Sequence, residues 1–348
     1  MTKQLKKGFG SDNHSGVLPE VFEALAGASA GHEPAYGTDE YCEKARRVFK
    51  ENFADSAEVY FVFNGTAANV LSLMACAQSF NSVIVSDISH LNEDECGAPE
   101  ANGGFKLVSL PSINGKISAD QIEKKLIRSG DQHYSQVKVV SITQPTEVGT
   151  LYTIEEMTSI SQLCKANGLF FHVDGARFIY SAQALGKSFR DLTAGVGVDV
   201  LSFGGTKNGL LGTEAVVILN PALNKNFQYL RKQRMQLASK SRFHAVQWLE
   251  FFKDEKWAKI AEHGILMAQT LQRLLEKQNL LEVVYPVEAN SVFVKIPKAW
   301  VKPLRSKYFF YIWDETEFVA RWMCSFDTMV EDLEGIVAEV QKLSTSVI

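Results

Sequence analysis

Residues 201–209 of the chain read LSFGGTKNG, an apolar strand pattern that runs into a glycine-rich turn carrying one lysine, Lys207. Glycine lets the backbone approach a ligand closely, and a lysine held against an apolar layer loses its proton more readily. Such a setting suits a lysine that forms a Schiff base with an aldehyde cofactor. A lone lysine on a loop is more often simply solvated, so the rest of the chain must decide between the two interpretations.

Length and composition are those of a soluble globular protein. With 348 residues, the chain is longer than one hydrophobic core usually supports, so one large and one smaller domain are expected. Hydrophobic residues make up 46% and charged residues 22%, which is ordinary. The net charge of −4 argues against a nucleic-acid partner, whose binding requires a basic face.

Several other classes of protein are excluded by pattern. The five cysteines are scattered and contain no C-x-x-C, so neither a disulfide framework nor a zinc knuckle is indicated. The N-terminal residues lack the apolar region of a signal peptide, and no stretch is apolar enough to span a membrane. We therefore expect a cytoplasmic protein without a membrane partner.

Short apolar runs alternate with helical patterns through the first two thirds of the chain. Runs rich in Val, Ile and Phe with little alternation are typical of strands buried on both faces. Their alternation with helices predicts an α/β domain with a largely parallel sheet. We expect strands at residues 59–63, 82–85, 106–110, 137–143, 169–173, 200–203 and 215–219, and helices at 39–52, 67–78, 119–128 and 154–167.

Beyond Pro221 the pattern changes to long amphipathic helices, through about residue 278, and then to a smaller α/β unit. In that unit we expect strands at 282–285, 291–296, 309–312 and 319–323 and a last helix from 328. A boundary near residue 245 divides the chain into a large domain, 1–245, and a small C-terminal domain, 246–348. The first forty residues, rich in Gly, Ser, Asn and Pro, are expected to wrap over the main domain or a neighbouring subunit.

Three polar groups follow strands of the predicted sheet, where open α/β sheets bind ligands. The turn Asn64-Gly65-Thr66 opens a helix whose N-terminus suits a phosphate, although Thr66 acting as a plain helix cap is about equally expected. Asp174 ends an apolar run, where it is either a structural cap or the partner of a protonated ring nitrogen. Lys207 follows one strand later. Each group alone is weak evidence for a cofactor site, whereas the three groups in this order are much stronger evidence.

Competing phosphate and metal motifs are incomplete. Gly186-Lys187-Ser188 ends like a P-loop, but Ser181 stands where an earlier glycine is required. Gly195 and Gly197 begin a G-x-G-x-x-G whose third glycine is replaced by Val200. His90 and Asp94 have no converging ligand set, so no metal site is expected, and the acidic residues 92–95 read as a solvated loop.

Three further side chains are candidates for the same cleft. His90 follows a strand, where an imidazole can stack on a planar cofactor or act as a base, or be purely structural. Arg177 lies three residues after Asp174, and Arg321 lies near the end of a late strand. Two converging arginines would bind a carboxylate, whereas surface arginines are the ordinary alternative.

These residues together resemble the low-specificity L-threonine aldolases, pyridoxal-phosphate-dependent enzymes of the β-eliminating-lyase superfamily. The resemblance covers nearly the whole chain. It implies the aspartate aminotransferase-type fold (fold type I), with a large domain built on a mostly parallel seven-stranded sheet and a small C-terminal α/β domain. The matching motifs, in family order, are SDN at 11–13, AYG at 35–37, FNGTAAN at 63–69, His90, HVDGARF at 172–178, FGGTKNG at 203–209 and CSFDT at 324–328.

The resemblance also assigns roles. It implies that Lys207 holds the cofactor as a Schiff base, that Asp174 pairs with the pyridine nitrogen and that His90 stacks on the ring. The full cofactor set that it implies is Gly65, Thr66, His90, Asp174, Arg177, Thr206 and Lys207, of which Lys207, His90 and Asp174 are catalytic. The implied substrate-binding residues are Ser11, Arg177, Arg321 and Tyr36, the last from the facing subunit of a homodimer or of a homotetramer built from two dimers.

The implied reaction is retro-aldol cleavage of L-threonine, L-allo-threonine or a related β-hydroxy-α-amino acid, such as phenylserine, to glycine and an aldehyde. Other pyridoxal-phosphate chemistry (β-elimination, racemisation or transamination) is the nearest alternative, and a non-catalytic binding protein with the same fold is more remote. The chain departs from the family pattern in the segment ITQPTEVG, where Thr146 stands in place of a second active-site histidine. The proton acceptor is then His90, a water or a phosphate oxygen.

Overall fold

The computed structural model describes residues 7–345. Residues 1–6, part of the segment without a signal-peptide pattern, and residues 346–348 lie outside the described residues. Strands β1 to β11 span, in order, Glu58–Val62, Asn81–Ser86, Lys106–Leu110, Gln136–Thr143, Phe170–Gly175, Val200–Phe203, Glu214–Ile218, Glu282–Val283, Ser291–Lys295, Tyr311–Asp314 and Val319–Met323.

The helices fill the connections between these strands. Helices α1 to α15 span Pro19–Ala28, Glu40–Asn52, Gly65–Cys76, His90–Glu93, Ala98–Gly103, Ala119–Glu123, Ile154–Ala166, Phe178–Leu185, Phe189–Leu192, Pro221–Asn224, Phe227–Gln233, Arg242–Phe252, Lys256–Lys277, Lys298–Arg305 and Val330–Thr345. Short 3₁₀ turns lie at Asp12–His14, Leu126–Arg128, Thr206–Asn208 and Lys253–Glu255. None of the helices within residues 7–345 is long and apolar enough to cross a membrane.

The large sheet has seven strands in the order β1-β7-β6-β5-β4-β2-β3. Strands β3, β2, β4, β5 and β6 pair in parallel, and β7 is antiparallel to both β6 and β1. Strand β1 therefore runs in the same direction as β6. The predicted α/β architecture with a mostly parallel seven-stranded sheet is confirmed, and the carboxyl ends of β1, β2, β4, β5 and β6 meet at one edge.

Apolar side chains cover both faces of this sheet, as the unalternating strand sequences predict. All residues of β2, β6 and β7 are buried. Val140, Phe171 and Leu201 pack in the core on one face, whereas Val83 and Val139 pack in the core on the other. Each such fully buried side chain contributes about 1.5–3 kcal/mol, so the sheet is a rigid platform for the groups at its edge.

A smaller antiparallel sheet, in the order β10-β11-β9-β8, has its own apolar core. Helices α13 and α15 pack together beside it. The N-terminal segment also reaches this part of the molecule, because Phe9 lies in the small core and its carbonyl accepts a hydrogen bond from the Met323 N–H at 2.9 Å. The predicted boundary near residue 245 falls inside α12, whose Ala245 and Trp248 belong to a core of the large sheet, and the boundary stays a prediction.

Several expected elements differ in extent from the sequence interpretation, among them one helix and one strand at the edge of the small sheet. The helix expected at 119–128 ends at Glu123 and is followed by the separate 3₁₀ turn Leu126–Arg128. The strand expected at 309–312 is instead Tyr311–Asp314. Phe309 is exposed and Phe310 is buried in the small core. This apolar pair, which the sequence pattern assigned to the strand, therefore belongs to the loop that precedes β10.

Candidate active site

A cavity of about 410 Å³ opens at the edge where the parallel strands end. Volumes of this order are typical of cofactor and small-molecule sites. Its walls come from the N-terminal segment, five strand ends and β11 of the small sheet. The predicted site residues that line it are Ser11, Gly65, Thr66, His90, Asp174, Arg177, Thr206, Lys207 and Arg321.

Lys207 lies in the 3₁₀ turn directly after β6. Burial, and then the nearby charge of Arg177, lower the pKa of its ammonium group. The glycines before it are needed for close packing against the protein's own backbone. A Cβ on Gly204 would lie 2.0 Å from the Ala176 carbonyl oxygen, and one on Gly205 would lie 2.3 Å from that of Thr213. The turn therefore fixes Lys207 at the cavity wall as an amine that loses its proton readily.

Asp174 lies near the end of β5 and is buried. Its Oδ1 accepts a hydrogen bond from the Ala176 N–H at 3.1 Å, so it does cap its own turn, and its Oδ2 accepts one from Asn69 Nδ2 at 2.8 Å. Asn69 projects from α3 and donates also to Glu95 Oε1 at 3.2 Å. An ionised carboxylate has about four acceptor positions, so Asp174 keeps capacity for a further donor in the cavity.

His90 begins helix α4, after β2, and its ring lines the cavity. Its Nδ1 lies 2.8 Å from Glu95 Oε1, and this hydrogen bond raises the pKa of His90, while burial acts in the opposite direction. With Nδ1–H donating to the carboxylate, Nε2 is the nitrogen left for other contacts. Glu95 and Asn69 thus join His90 and Asp174 in one hydrogen-bonded network.

The turn at Asn64-Gly65-Thr66 opens helix α3, of 12 residues. Asn64, and not Thr66, is the helix cap, since its side chain accepts a hydrogen bond from the Ala67 N–H at 2.8 Å. The first N–H groups of a helix have no acceptor within the helix, and Gly65 and Thr66 supply two of them to the cavity. A helix end of this kind is suited to bind an anion.

Thr206 lies on the opposite wall, beside Glu214 of β7. The backbone N–H groups of Gly205 and Thr206 donate to the two carboxyl oxygens of Glu214, at 2.6 and 3.4 Å. Burial raises the pKa of Glu214. A hydrogen bond from the Thr206 side chain acts to lower that pKa, so the Glu214 carboxyl group binds both the backbone and the hydroxyl of Thr206, which lines the cavity.

The two predicted arginines converge on the cavity from different elements. Arg177 follows β5 and binds Asp12 through Nε at 2.6 Å and Nη2 at 2.7 Å. Arg321, on β11, donates from Nη2 to the Gly10 carbonyl at 3.2 Å, and burial lowers its pKa to about 10. Ser11 lies in sequence between Gly10 and Asp12, the partners of the two arginines, and lines the cavity as well. Together they form a positively charged side of the cavity.

Tyr36 does not line the cavity formed by this chain. Its side chain is 52% exposed and its ring lies 5.4 Å from the Lys232 Nζ atom. Its assignment to the active site of a facing subunit stays a prediction.

Sequence comparisons identify the family. The model of the beta-eliminating lyase family matches residues 8–299. A low-specificity L-threonine aldolase of Pseudomonas aeruginosa is 41% identical over 334 residues, which cover 96% of each chain. A second one, from a Pseudomonas species, is 40% identical and covers 99% of this chain and 100% of its own. The chain belongs to the low-specificity L-threonine aldolase family of β-eliminating lyases.

The solved structures agree with this family assignment. A threonine aldolase of Leishmania major superposes with a TM-score of 0.91 at 28% identity, covering 97% of this chain and 99% of the other. As a member of the aldolase family, the protein is an enzyme, and its class is that of the carbon–carbon lyases. The resemblance inferred from the sequence motifs is confirmed.

The position at which this aldolase-family chain departs from the expected pattern is part of the cavity wall. Thr146 is buried, and its hydroxyl lies 2.7 Å from that of Thr150. The adjacent Glu147 also lines the cavity. Its Oε1 accepts hydrogen bonds from the Thr143 hydroxyl at 2.6 Å and from the His90 backbone N–H at 2.9 Å.

Sequence reasoning missed five polar residues that surround these groups: Asp12, Asn69, Glu95, Glu147 and Glu214. The expectation of a solvated acidic loop at 92–95 is wrong for Glu95, which is buried against Asn69 and His90. Asp12, Asn69 and Glu147 lie inside or beside motifs used for the assignment, so their position in those motifs was the available signal. Glu214 opens a buried strand, where a carboxyl group is unusual.

Proposed function

We propose that this enzyme uses pyridoxal 5′-phosphate to cleave L-threonine, L-allo-threonine and related β-hydroxy-α-amino acids, including phenylserine, to glycine and an aldehyde. The observation that carries the proposal is that Lys207, Asp174 and the N-terminus of α3 line one cavity, in a chain 40–41% identical to L-threonine aldolases.

The donors in the cavity fit the parts of that cofactor. The N–H groups of Gly65 and Thr66 at the start of α3 suit its phosphate, and Thr206 lines the same cavity. Asp174, with acceptor capacity left beside its bonds to Asn69 and Ala176, suits the ring nitrogen. Lys207, whose pKa is lowered by burial, suits the aldehyde.

When bound, the cofactor supplies an electron-withdrawing ring that takes up the electron pair of the broken Cα–Cβ bond. Asp174 holds a proton on the ring nitrogen, and His90 contacts the ring from its wall of the cavity. Lys207 would hold the cofactor's aldehyde carbon until the amino group of the substrate takes its place.

The substrate's carboxylate meets the positively charged side of the cavity. Ser11, Arg177 and Arg321 bind it and so determine which bond of Cα stands perpendicular to the ring, which is the bond disposed to break.

We also propose a homodimer or a homotetramer in which Tyr36 enters the facing subunit's site, and a cytoplasmic location. The 52% exposure of Tyr36, away from its own cavity, supports the first of these. Light scattering of the purified protein gives the assembly size, and a monomer that remains active would contradict this part of the proposal.

The reaction is tested with a panel of β-hydroxy amino acids. Purified protein loaded with pyridoxal phosphate should release glycine and one equivalent of aldehyde from L-threonine, L-allo-threonine or phenylserine. A 2-oxo acid with ammonia (2-oxobutyrate from threonine), or a racemised amino acid, in place of glycine would assign another reaction, and the absence of glycine from every member of the panel would exclude aldol cleavage.

A further inference from the structure

Aldol cleavage requires a group that removes the proton of the substrate's β-hydroxyl, and Thr146 does not supply one. A threonine hydroxyl is a poor base at neutral pH, and the Thr146 hydroxyl is already bound to that of Thr150. His90 is disfavoured as well. Its hydrogen bond with Glu95 raises its pKa, which increases the protonated fraction that has no lone pair to accept with.

Glu147 is the nearest carboxyl group to position 146 in the chain, and it lines the cavity. Its Oε1 is held by the Thr143 hydroxyl and the His90 N–H, so its carboxyl is fixed between the end of β4 and the start of α4. Its Oε2 is shielded from solvent and has no hydrogen-bond partner among residues 7–345. A shielded carboxyl oxygen without a donor is costly unless another group completes its contacts.

The charges around Glu147 make it a competent base near neutral pH. The pKa of Glu147 is raised to about 7, chiefly by burial and also by the charge of Asp174, against the lowering effect of the bonds from Thr143 and His90. The charge of Glu147 acts to raise the pKa of the Tyr152 phenol in the same segment. The other charged or titratable groups that line the cavity are His90, Asp94, Glu95, Asp174, Arg177, Lys207, Glu214 and Arg321. A base is most effective when its pKa lies near the working pH.

We propose that Glu147 is the catalytic residue that accepts the β-hydroxyl proton. This inference rests on the proposed aldol cleavage. The O–H electron pair becomes the second bond of the aldehyde carbonyl as the Cα–Cβ bond breaks, and the proton passes to the Glu147 carboxylate. The electron pair of the broken bond remains on the glycine side, where Cα later takes up one proton, and Glu147 then releases its own, so the proton count is unchanged.

The test compares two reactions of the same loaded protein, wild type and Glu147→Gln. Cleavage of L-allo-threonine uses the β-hydroxyl proton, whereas exchange of a glycine Cα hydrogen with heavy water, followed by NMR, does not. We expect kcat for cleavage to fall about 10²–10⁴-fold. Glycine exchange and glycine binding, measured by spectroscopic titration, should stay within about threefold of the wild type. The control Glu100→Gln alters a glutamate on the exposed face of α5 and should change neither reaction.

The pH profile gives a second readout. The ratio of cleavage to exchange should rise with pH through about 7 in the wild type, because only the ionised carboxylate accepts a proton. The ratio should be flat in Glu147→Gln. In Thr143→Val, which removes a hydrogen bond that lowers the pKa of Glu147, the rise should move to higher pH.

Equal loss of cleavage and exchange in Glu147→Gln would overturn the proposal, because Glu147 would then only support the cavity. The proposal would also be overturned if the ratio of cleavage to exchange still rose with pH in Glu147→Gln. The same holds if the rise in Thr143→Val occurred at the same pH as in the wild type. The proposed function fails separately: wild-type protein that exchanges glycine but cleaves no β-hydroxy amino acid would disprove aldol cleavage without any variant.

Discussion

The carboxylate of Asp12 holds the guanidinium of Arg177 along one edge, with Oδ2 at 2.6 Å from Nε and Oδ1 at 2.7 Å from Nη2. Asn290 adds a hydrogen bond to Oδ2 at 3.3 Å. Asp12 therefore occupies the Nε–Nη2 edge of Arg177, which would otherwise be available for bidentate binding of a substrate carboxylate. Arg177 is left to meet a substrate through Nη1, and the N-terminal segment is tied to the end of β5.

Replacing Asp12 by Asn should lower the free energy of unfolding. Burial alone would raise the pKa of Asp12, but the charge and hydrogen bonds of Arg177 lower it, so the native state favours the ionised form. Hydrogen bonds to charged groups contribute about 1.5–3 kcal/mol each, and we expect Asp12→Asn to lose about that much in urea unfolding at neutral pH.

The pH dependence of that loss follows from the sign of the shift. A carboxyl whose folded pKa is lowered contributes stability above its unfolded value of 3.8, and the contribution disappears as pH falls through the folded pKa. The free energies of unfolding of the wild type and Asp12→Asn should differ by a constant amount from pH 8 to 5, and the difference should disappear below about pH 4. Asp55→Asn removes an exposed pair with Arg190 and should have a much smaller effect. A difference between the wild type and Asp12→Asn that does not narrow in acid would contradict this explanation.

Lys207→Ala should remove the visible absorbance of bound pyridoxal phosphate and reduce turnover by about 10³-fold or more, because the amine that carries the cofactor is lost. Borohydride reduction of the wild type, followed by peptide mass mapping, should place the pyridoxyl group on Lys207. Lys187→Ala alters an exposed lysine and is the control. A pyridoxyl group on another lysine, or unchanged turnover in Lys207→Ala, would contradict the assignment.

His172 should make the protein less stable in mild acid. It is buried in β5 between the hydroxyls of Ser141 and Ser202, at 2.8 and 2.9 Å, and burial lowers its pKa to about 4 from 6.5. Between those values the unfolded chain binds a proton that the folded chain does not, so stability rises with pH, by about 3 kcal/mol from this group.

His172→Gln stays neutral over this range. The rise in unfolding free energy between pH 4.5 and 7, measured at fixed protein concentration, should therefore be smaller in His172→Gln than in the wild type by roughly that amount. Because His244 has a similarly lowered pKa in both proteins, the difference isolates His172. If the unfolding free energy rose equally with pH in the wild type and in His172→Gln, His172 would have to accept a proton in the folded state, which would contradict the prediction.

The sequence predicted the sheet because its strands are short apolar runs buried on both faces. Strands β3, β6 and β11 have the predicted bounds, and the polar groups at or just after the ends of β1, β5 and β6 were found because they interrupt apolar runs. The local sequence pattern is sufficient to predict an element whose extent is determined by burial alone. The split of the helix after Glu123 depends on tertiary packing and was not predicted.

The hydrogen-bonded partners could not be derived in the same way. Asp12 and Arg177 are separated by 165 residues, and Asn69 and Asp174 by 105, so no local pattern links them. Glu95 lies in an acidic run that reads as solvated, and only the fold buries it against His90. Glu147 lies in a polar segment beside Thr146, and nothing in the local sequence shows that its carboxyl group is shielded from solvent.

The most direct test of the account is to let the pyridoxal-phosphate-loaded protein act on L-allo-threonine in heavy water and to analyse the products. Cleavage of Cα–Cβ followed by protonation at Cα predicts glycine with one deuterium at Cα, together with an equal amount of acetaldehyde. Formation of 2-oxobutyrate and ammonia, or the return of the amino acid with deuterium at Cα and no glycine, would contradict it.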